Sequence, residues 1–402
     1  PDESRIRGLV AAADIVAPAP GIPEGHPLIT QSIQQRRVVM TELDLAYEWE
    51  SHREGGARPI IAVTGTDGKT TTVNMVESML TESGRRTVAC GNTEIPLVDA
   101  LEHDVDSFVV EATSFRLAFV ETFRAEASAW LNLAPDHLDW HASMHTYEAA
   151  KARIWRNVRP GDVAVGPSHD EIVNRHLSNL RCRRVFIGGS DYHEADGVLR
   201  SRGIDIVATT DMRRSLPHDV TNALTASALC IESGLAPVDA VGRALRTFEA
   251  PHHRIEFVAE NGGVRWFDDS KATTPHAALT AIRGFTNVVL IAGGRNKDLD
   301  LAPMASEAAR VKAVVAIGES ADLIAAAFND ATSGTTPVST ASSMADAVAI
   351  AAKAARKGDV VLLSPGCTSF DWYEGYAQRG EHFAACVREI IDSSPRRTGG
   401  RR

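Results

Sequence analysis

Short apolar runs that close on glycine or a small polar residue recur along this chain. Four stand in its first half: PIIAVTG at 59–65, RTVACG at 86–91, SFVVEATS at 107–114 and SAWLNLAPD at 128–136. Four more follow: GVRWFDDS at 263–270, NVVLIAGG at 287–294, AVVAIG at 313–318 and DVVLLSPG at 359–366. Runs of this length, continuous in branched and small apolar residues, predict strands buried on both faces. Helical patterns separate most of them. Val73, Val76, Met79 and Leu80 form an apolar stripe that ends at Gly84, and further helices are predicted near 222–232 and 237–246. The alternation predicts an α/β protein with mostly parallel sheets. Each run ends in Gly, Ser, Thr or Asp, at the strand ends where open α/β sheets bind ligands.

The pattern also marks boundaries. A break between domains is expected in EAPHHRIE (249–256), and SHREGGAR (51–58), polar with two glycines, reads as a linker. The expected division is an N-terminal segment with its linker over 1–55, a central domain over 56–250, a C-terminal domain over 251–393 and a solvated tail over 394–402. About fifty N-terminal residues are too few for an independent α/β domain.

Composition narrows the function classes. With 402 residues, 44% hydrophobic and 23% charged, the chain has a soluble globular composition and enough length for two or three domains. No run of about eighteen apolar residues suggests a membrane helix, and no secretory signal is visible, although the chain opens on Pro1. A net charge of −10 argues against a sequence-independent grip on nucleic acid. The five cysteines are scattered without a C-x-x-C pair, which favours a reducing cytoplasm over a disulfide scaffold or zinc site.

The chemistry begins at VTGTDGKTTT (63–72). A strand, a Gly-rich turn and then Lys and Thr at a helix start make a phosphate cradle. Gly65, Thr66, Asp67, Gly68, Lys69, Thr70 and Thr71 would wrap the anion. Backbone N–H groups and the helix end supply partial positive charge, and Lys69 supplies a full one. The Thr70 hydroxyl suits a magnesium ion. Gly65 and Gly68 enclose two residues where the usual loop has four, so this is a shortened variant, with ATP the expected nucleotide. Glu111 and His137 stand near other strand ends and could ligate metal between phosphates; a strand-end cap and a surface histidine are the alternatives. Lys151, in TYEAAKARIW, falls within a helical apolar stripe. Either it snorkels with its head in solvent, or it is buried, neutral and able to capture carbon dioxide as an anionic carbamate.

The motifs GTDGKTTT, GNTEIP, EATSF, NLAPDHLDWH, YEAAKARI, APHHRIE, DDSKATTPHAA, AGGRNKDLD and SPGCTSFDWYEGYAQRGEHF, in this order, resemble the Mur ligase family from about residue 15 to 390. DSKAT and SP-x-C-x-S-x-D point to the branch that adds D-glutamate to UDP-N-acetylmuramoyl-L-alanine in cytoplasmic peptidoglycan synthesis. The resemblance implies a multidomain fold: a central P-loop domain, a C-terminal Rossmann-like domain and a truncated N-terminal UDP-binding segment. It implies a monomeric ATP-dependent carbon–nitrogen ligase acting through an acyl phosphate, with two Mg2+ ions and carbamylated Lys151. Thr70 and Glu111 would serve one ion, and His137 with Lys151 the other. Asn92 would lie near the phosphates and the reacting carboxylate, Asn222 at the adenine, and Arg254 and Asp269 at the ribose and phosphates. Lys271 would approach the transferring phosphoryl group. Thr273, Lys297, Ser369, the Phe370 backbone and Tyr376 would hold D-glutamate, and Pro20 and Gly21 the uridine diphosphate.

Departures from the family pattern fall at Arg116, where Gln is usual, and at Asp219 and Thr274, where Asn is usual. Gly366 and Thr368 stand where Ala is frequent. Arg116 would add a cation able to alter how the muropeptide is held. The first βαβ part of a UDP-binding domain has no counterpart ahead of residue 15, so impaired affinity for the UDP sugar is expected. A related Mur or folylpolyglutamate-type ligase with another amino acid, or a nucleotide-binding protein without turnover, are the competing classes.

Overall fold

In the computed structural model, which describes residues 3–138 and 140–393, each of the eight apolar runs contains a strand. The N-terminal elements are α1 (Glu3–Ala12), β1 (Ile15–Val16), α2 (Pro27–Gln34), β2 (Val38–Val39) and α3 (Glu42–Ser51). Next come β3 (Ile60–Thr64), α4 (Lys69–Glu82), β4 (Thr87–Gly91), α5 (Leu97–Ala100), β5 (Ser107–Glu111), α6 (Ser114–Leu117), β6 (Ala127–Trp130) and α7 (Met144–Ala152). They are followed by β7 (Val163–Pro167), α8 (Glu171–Ser178), β8 (Arg183–Ile187), β9 (Tyr192–Ala195), β10 (Val198–Ser201), β11 (Ile204–Ala208), α9 (Pro217–Glu232) and α10 (Val238–Thr247). The remainder holds β12 (Glu256–Asn261), β13 (Val264–Asp268), α11 (Pro275–Arg283), β14 (Val288–Gly293) and β15 (Val311–Ile317). It closes with α12 (Ala321–Thr332), β16 (Val338–Ala341), α13 (Met344–Ala354), β17 (Val360–Gly366) and α14 (Tyr376–Ser393). The chain divides into two units, Pro1–Glu249 and Ala250–Arg402, with residues 1–55 grouped in the first. The tail expected over 394–402 lies outside the described residues.

In the first unit a nine-stranded sheet runs β11-β10-β9-β8-β7-β6-β3-β5-β4. From β9 through β4 every pairing is parallel. Alternate side chains of β3 enter opposite cores, as the two-residue period requires. Ile61 and Val63 join the cluster containing Val73, Val76, Met79 and Leu80 of α4, whereas Ile60 and Ala62 join one containing Leu43, Trp130 and Ile154. Burying each large aliphatic side chain is worth about 1.5–3 kcal/mol, so this central strand is anchored from both faces. The sheet's far edge is antiparallel. Two-residue turns at Asp196–Gly197 and Arg202–Gly203, all four with positive φ, join β9, β10 and β11. Strands β1 and β2 form a separate parallel pair.

The second unit has a six-stranded sheet, β12-β13-β17-β14-β15-β16, parallel except for the β12–β13 pair at its edge. Its neighbours β13, β17 and β14 all point the same way. Three segments remote in sequence, DSKAT, CTS and GRNK, therefore emerge side by side. Among the described residues no helix is long and apolar enough to cross a membrane.

Candidate active site

The β3–α4 turn takes two left-handed steps, Gly65 at φ +156° and Gly68 at φ +83°. A Cβ on Gly68 would lie 2.7 Å from Asn222 Oδ1, so only glycine lets α9 approach the turn. The loop is held open by Asn132, just past β6. Its Oδ1 accepts from the N–H groups of Thr66 (2.9 Å) and Asp67 (3.0 Å), and its Nδ2 donates to the Asp67 carbonyl at 3.2 Å. The Thr66 hydroxyl donates to Ala134 O at 3.1 Å and accepts from Ala134 N at 3.0 Å. Lys69 Nζ donates to the carbonyls of Gly65 and Thr66, at 2.9 and 2.7 Å. Thr70 is half-buried and Thr71 buried in the first turn of α4. Asn132 opens the motif NLAPDHLDWH, yet the sequence alone assigns it no role, because its task is to hold loop backbone that only the fold brings near.

Within the first unit, Asn92, Glu111 and Lys151 lie on elements next to this loop. Glu111 ends β5, beside β3, and its Oε1 accepts from Asn92 Nδ2 at 3.2 Å. Gly91, at φ +93°, permits this: a Cβ there would sit 2.6 Å from Glu111 O. The other carboxylate oxygen, Oε2, is buried with no hydrogen-bond partner among the described residues. A buried carboxylate oxygen with nothing to accept is costly, and a cation would relieve that cost. The oxygen donors Thr70 and Glu111 thus fit magnesium. Lys151 is 2% exposed, which excludes the solvent-facing alternative. Its Nζ donates to Gly65 O at 2.8 Å and lies 4.4 Å from the centre of the Tyr147 ring. Burial, and next the Lys69 charge, push its pKa well below the usual lysine value, against the attraction of Asp136, Asp67 and Glu111. The His137 ring centre is 6.4 Å from that of Tyr147, and its backbone has φ +56°.

Asp219 has a structural explanation. At the third position of α9 its carboxylate accepts from Leu216 N at 3.1 Å and from two nitrogens of Arg214, at 2.6 and 2.7 Å. Asn222, one turn on, faces the phosphate loop. The Pro20 carbonyl accepts from Trp140 Nε1 at 3.1 Å, and Glu24 accepts from Ala142 N at 2.5 Å, while Gly21 is exposed. The segment assigned to the uridine diphosphate is thereby pinned to the loop that carries His137. Arg116 pairs with Glu42 of α3.

In the second unit, Arg379 of α14 laces two of the adjacent loops. Although 1% exposed, it donates Nε to Ser270 Oγ (2.9 Å), one terminal nitrogen to Ser270 O (2.8 Å) and both to Cys367 O (3.1 Å). The third loop joins through reciprocal bonds of 2.9 Å between the backbones of Arg295 and Thr368, and the Thr368 hydroxyl adds a bond of 2.9 Å to Arg295 O. These ties bring the Lys297 segment beside Ser369. Gly366 has φ +68°, and a Cβ would meet Met304 Sδ at 2.4 Å, so alanine would be strained here. Thr274 is the N-cap of α11, its hydroxyl accepting from Ala277 N at 3.3 Å ahead of Pro275, a task that Asn performs equally well. Lys271 N donates to His253 O at 3.1 Å, and Lys271 Nζ lies 5.2 Å from the Tyr376 ring centre. His253 is fixed in turn by Asp268, 2.6 Å from its Nδ1. Asp269 is buried, and its Oδ2 accepts from Ser364 Oγ at 2.7 Å. Burial pushes its pKa up to about 7, opposed by that hydrogen bond and by Arg254. Thr273 is half-buried, Ser369 buried, and Phe370 and Tyr376 exposed.

Comparisons with known proteins agree across both units. Residues 63–230 match the Mur ligase middle domain, and residues 253–367 match the Mur ligase glutamate ligase domain. The chain is 43% identical over 404 residues to a UDP-N-acetylmuramoylalanine–D-glutamate ligase of Frankia casuarinae, covering 96% of this chain and 83% of that protein. It is 36% identical over 394 residues to an enzyme of the same name from Pelotomaculum thermopropionicum, covering 94% and 84%. Among solved structures, the MurF ligase from Thermotoga maritima in complex with ADP superposes with a TM-score of 0.64 over 95% of this chain and 99% of its own. Its identity is 16%, so that likeness bears on the fold alone.

Proposed function

The chain belongs to the Mur ligase family, and from that premise we propose that it joins D-glutamate to UDP-N-acetylmuramoyl-L-alanine at the expense of ATP. The observation that carries this reading is the similarity to D-glutamate ligases, which runs along 96% of the chain. In the reaction, the carboxylate of the UDP-muropeptide attacks the γ-phosphorus of ATP, forming an acyl phosphate and releasing ADP. The amine of D-glutamate then attacks the acyl carbon, an amide bond forms, and phosphate leaves with one oxygen of the original carboxylate. Both steps bring anions together, so positioning and charge neutralisation dominate the catalysis.

Each residue contributes through what surrounds it. The N–H groups around Gly68 and the cation of Lys69 offset the phosphate charge, and Asn222 contacts the adenine. Arg254 and Asp269 hold the ribose and phosphates. Magnesium, when bound, would be held by Thr70 and Glu111 and would lower the cost of gathering phosphate oxygens. A second ion would fall to His137 and Lys151. Burial favours the neutral amine of Lys151, the form that takes up carbon dioxide, and the resulting carbamate would be an anionic ligand. Asn92, whose amide donates to Glu111, is assigned to the reacting carboxylate. Lys271 is assigned to the migrating phosphoryl group. Lys297, Thr273, Ser369, the Phe370 backbone and Tyr376 are assigned to D-glutamate, whose two carboxylates suit a cation with hydroxyl and N–H donors. Pro20 and Gly21 are assigned to the uridine diphosphate.

A panel of amino acids tests this reading, with ATP, magnesium and UDP-N-acetylmuramoyl-L-alanine held constant and phosphate release measured. Release should depend on D-glutamate. Equal release with L-lysine, meso-diaminopimelate or L-glutamate would defeat it.

A further inference from the structure

Arg116 is the added cation in the run Thr113–Ser114–Phe115–Arg116–Leu117, and its surroundings leave it incompletely used. It projects from α6 into a narrow recess lined by Pro18, Pro20, Ile22, Phe115 and Trp140, with Glu42 alongside. One terminal nitrogen of its guanidinium meets Glu42 Oε2; the two side chains are 12% and 19% exposed. Its Nε is buried and has no hydrogen-bond partner among the described residues. Glu42 is otherwise committed through its second oxygen, Oε1, which accepts from Val98 N at 2.8 Å. The recess is mostly apolar, so a guanidinium with an unmet donor there is costly unless an anion completes its bonding. The Pro18–Pro20 stretch belongs to the same lining and is fastened by the Trp140–Pro20 hydrogen bond.

We propose that Arg116 binds the diphosphate of the UDP-sugar substrate and that Glu42 is a placeholder which the diphosphate displaces. The proposal rests on the reading that Pro20 and Gly21 adjoin that diphosphate. A diphosphate carries more charge than one carboxylate and offers several acceptor oxygens, so it can engage both Nε and a terminal nitrogen of the planar guanidinium. The exchange gives two neighbouring residues opposite signs. Losing the Arg116 charge removes a substrate contact, whereas losing the Glu42 charge removes a competitor. Glu42→Gln suits the test because its carbonyl oxygen can still accept from Val98 N.

Binding of UDP and of uridine is measured by calorimetry, together with KM for UDP-N-acetylmuramoyl-L-alanine, ATP and D-glutamate. Arg116→Gln should weaken UDP by about ten-fold or more, the scale of a lost charge-assisted contact, and leave uridine, ATP and D-glutamate unchanged. Arg116→Lys should recover part of the loss. Glu42→Gln should bind UDP more tightly than the parent protein. Weakening by both Arg116→Gln and Glu42→Gln would mean a purely structural ion pair and would overturn the proposal. So would an Arg116→Gln effect on the complete muropeptide with UDP unaffected, because the cation would then serve the carboxylate. A parent protein that binds UDP but shows no D-glutamate-dependent turnover would defeat the functional reading, with the Arg116 result standing separately.

Discussion

Lys69 and Lys151, eighty-two positions apart, donate to one acceptor: their Nζ atoms lie 2.9 and 2.8 Å from the Gly65 carbonyl oxygen. One carbonyl cannot stabilise two full cations in a buried setting. Lys151, the more deeply buried, is the one whose charged form is disfavoured, first by burial and then by Lys69. With labelled bicarbonate, carbon-13 NMR should show a carbamate resonance that disappears in Lys151→Arg. Lys69→Met should reduce that signal at fixed pH near neutrality, because removing the neighbouring charge makes protonation of Lys151 easier. An unlabelled protein under these conditions would contradict the assignment of Lys151.

Asn132 does for the phosphate loop what a bound anion would otherwise have to do, since it holds two N–H groups and one carbonyl in place beforehand. Asn132→Ala should cost about 1–3 kcal/mol of stability, the range for stranding buried partners, and should raise KM for ATP without moving KM for D-glutamate. Asn132→Asp keeps the acceptor but adds negative charge beside the phosphates, so it should weaken ATP further. Thermal unfolding with steady-state kinetics checks both.

Most of this architecture was readable because buried parallel strands announce themselves as unbroken apolar runs, and all eight such runs are strands. The eight runs omit the parallel strands β7, β8 and β16, although β7 is buried throughout, and they omit the antiparallel edge of the first sheet, whose hydrophobicity Arg200, Arg202 and Asp205 interrupt. Asp196–Gly197 was nonetheless a two-residue hairpin signal, and the left-handed φ of both residues shows why that pair stands there. In the site, residues with a chemical signature, such as Lys69, Glu111 and Lys151, could be named from the chain. Asn132, Trp140, Arg379 and the His253–Asp268 pair could not, because they act by holding backbone that only folding brings near. Thr274 needed the helix start to explain it.

His253 and Asp268 make a pH-dependent tie beneath Lys271. The hydrogen bond and charge of Asp268 raise the His253 pKa above its ordinary 6.5, with burial acting in the opposite sense. A histidine whose folded pKa is raised contributes stability that is complete below the unfolded value and is lost as pH climbs through the folded one. Unfolding of the native protein should therefore show a loss of stability as pH rises above 6.5. That loss should be absent in His253→Gln. Equal pH slopes for the two proteins would remove His253 from the account.

Arg379 is buried without an ion-pair partner among the described residues, yet its donors meet the main chain of two loops assigned to the amino acid. Arg379→Lys keeps the charge but cannot span both carbonyls with a rigid fork. It should raise KM for D-glutamate at least ten-fold with a smaller change in KM for ATP. Arg379→Met should add a loss of about 2–4 kcal/mol in stability from the stranded carbonyls. If KM for both substrates moved equally, a role specific to the amino-acid loops would be excluded.

The central claim is amide formation with D-glutamate through an acyl phosphate, and the fate of the substrate carboxylate oxygens tests it most directly. UDP-N-acetylmuramoyl-L-alanine labelled with oxygen-18 in both carboxylate oxygens is incubated with ATP, magnesium and D-glutamate, and the released phosphate is analysed by mass spectrometry. One labelled oxygen in each phosphate, with one retained in the new amide and no labelled phosphate when D-glutamate is omitted, is the predicted result. Phosphate without label, formed while amide accumulates, would contradict it.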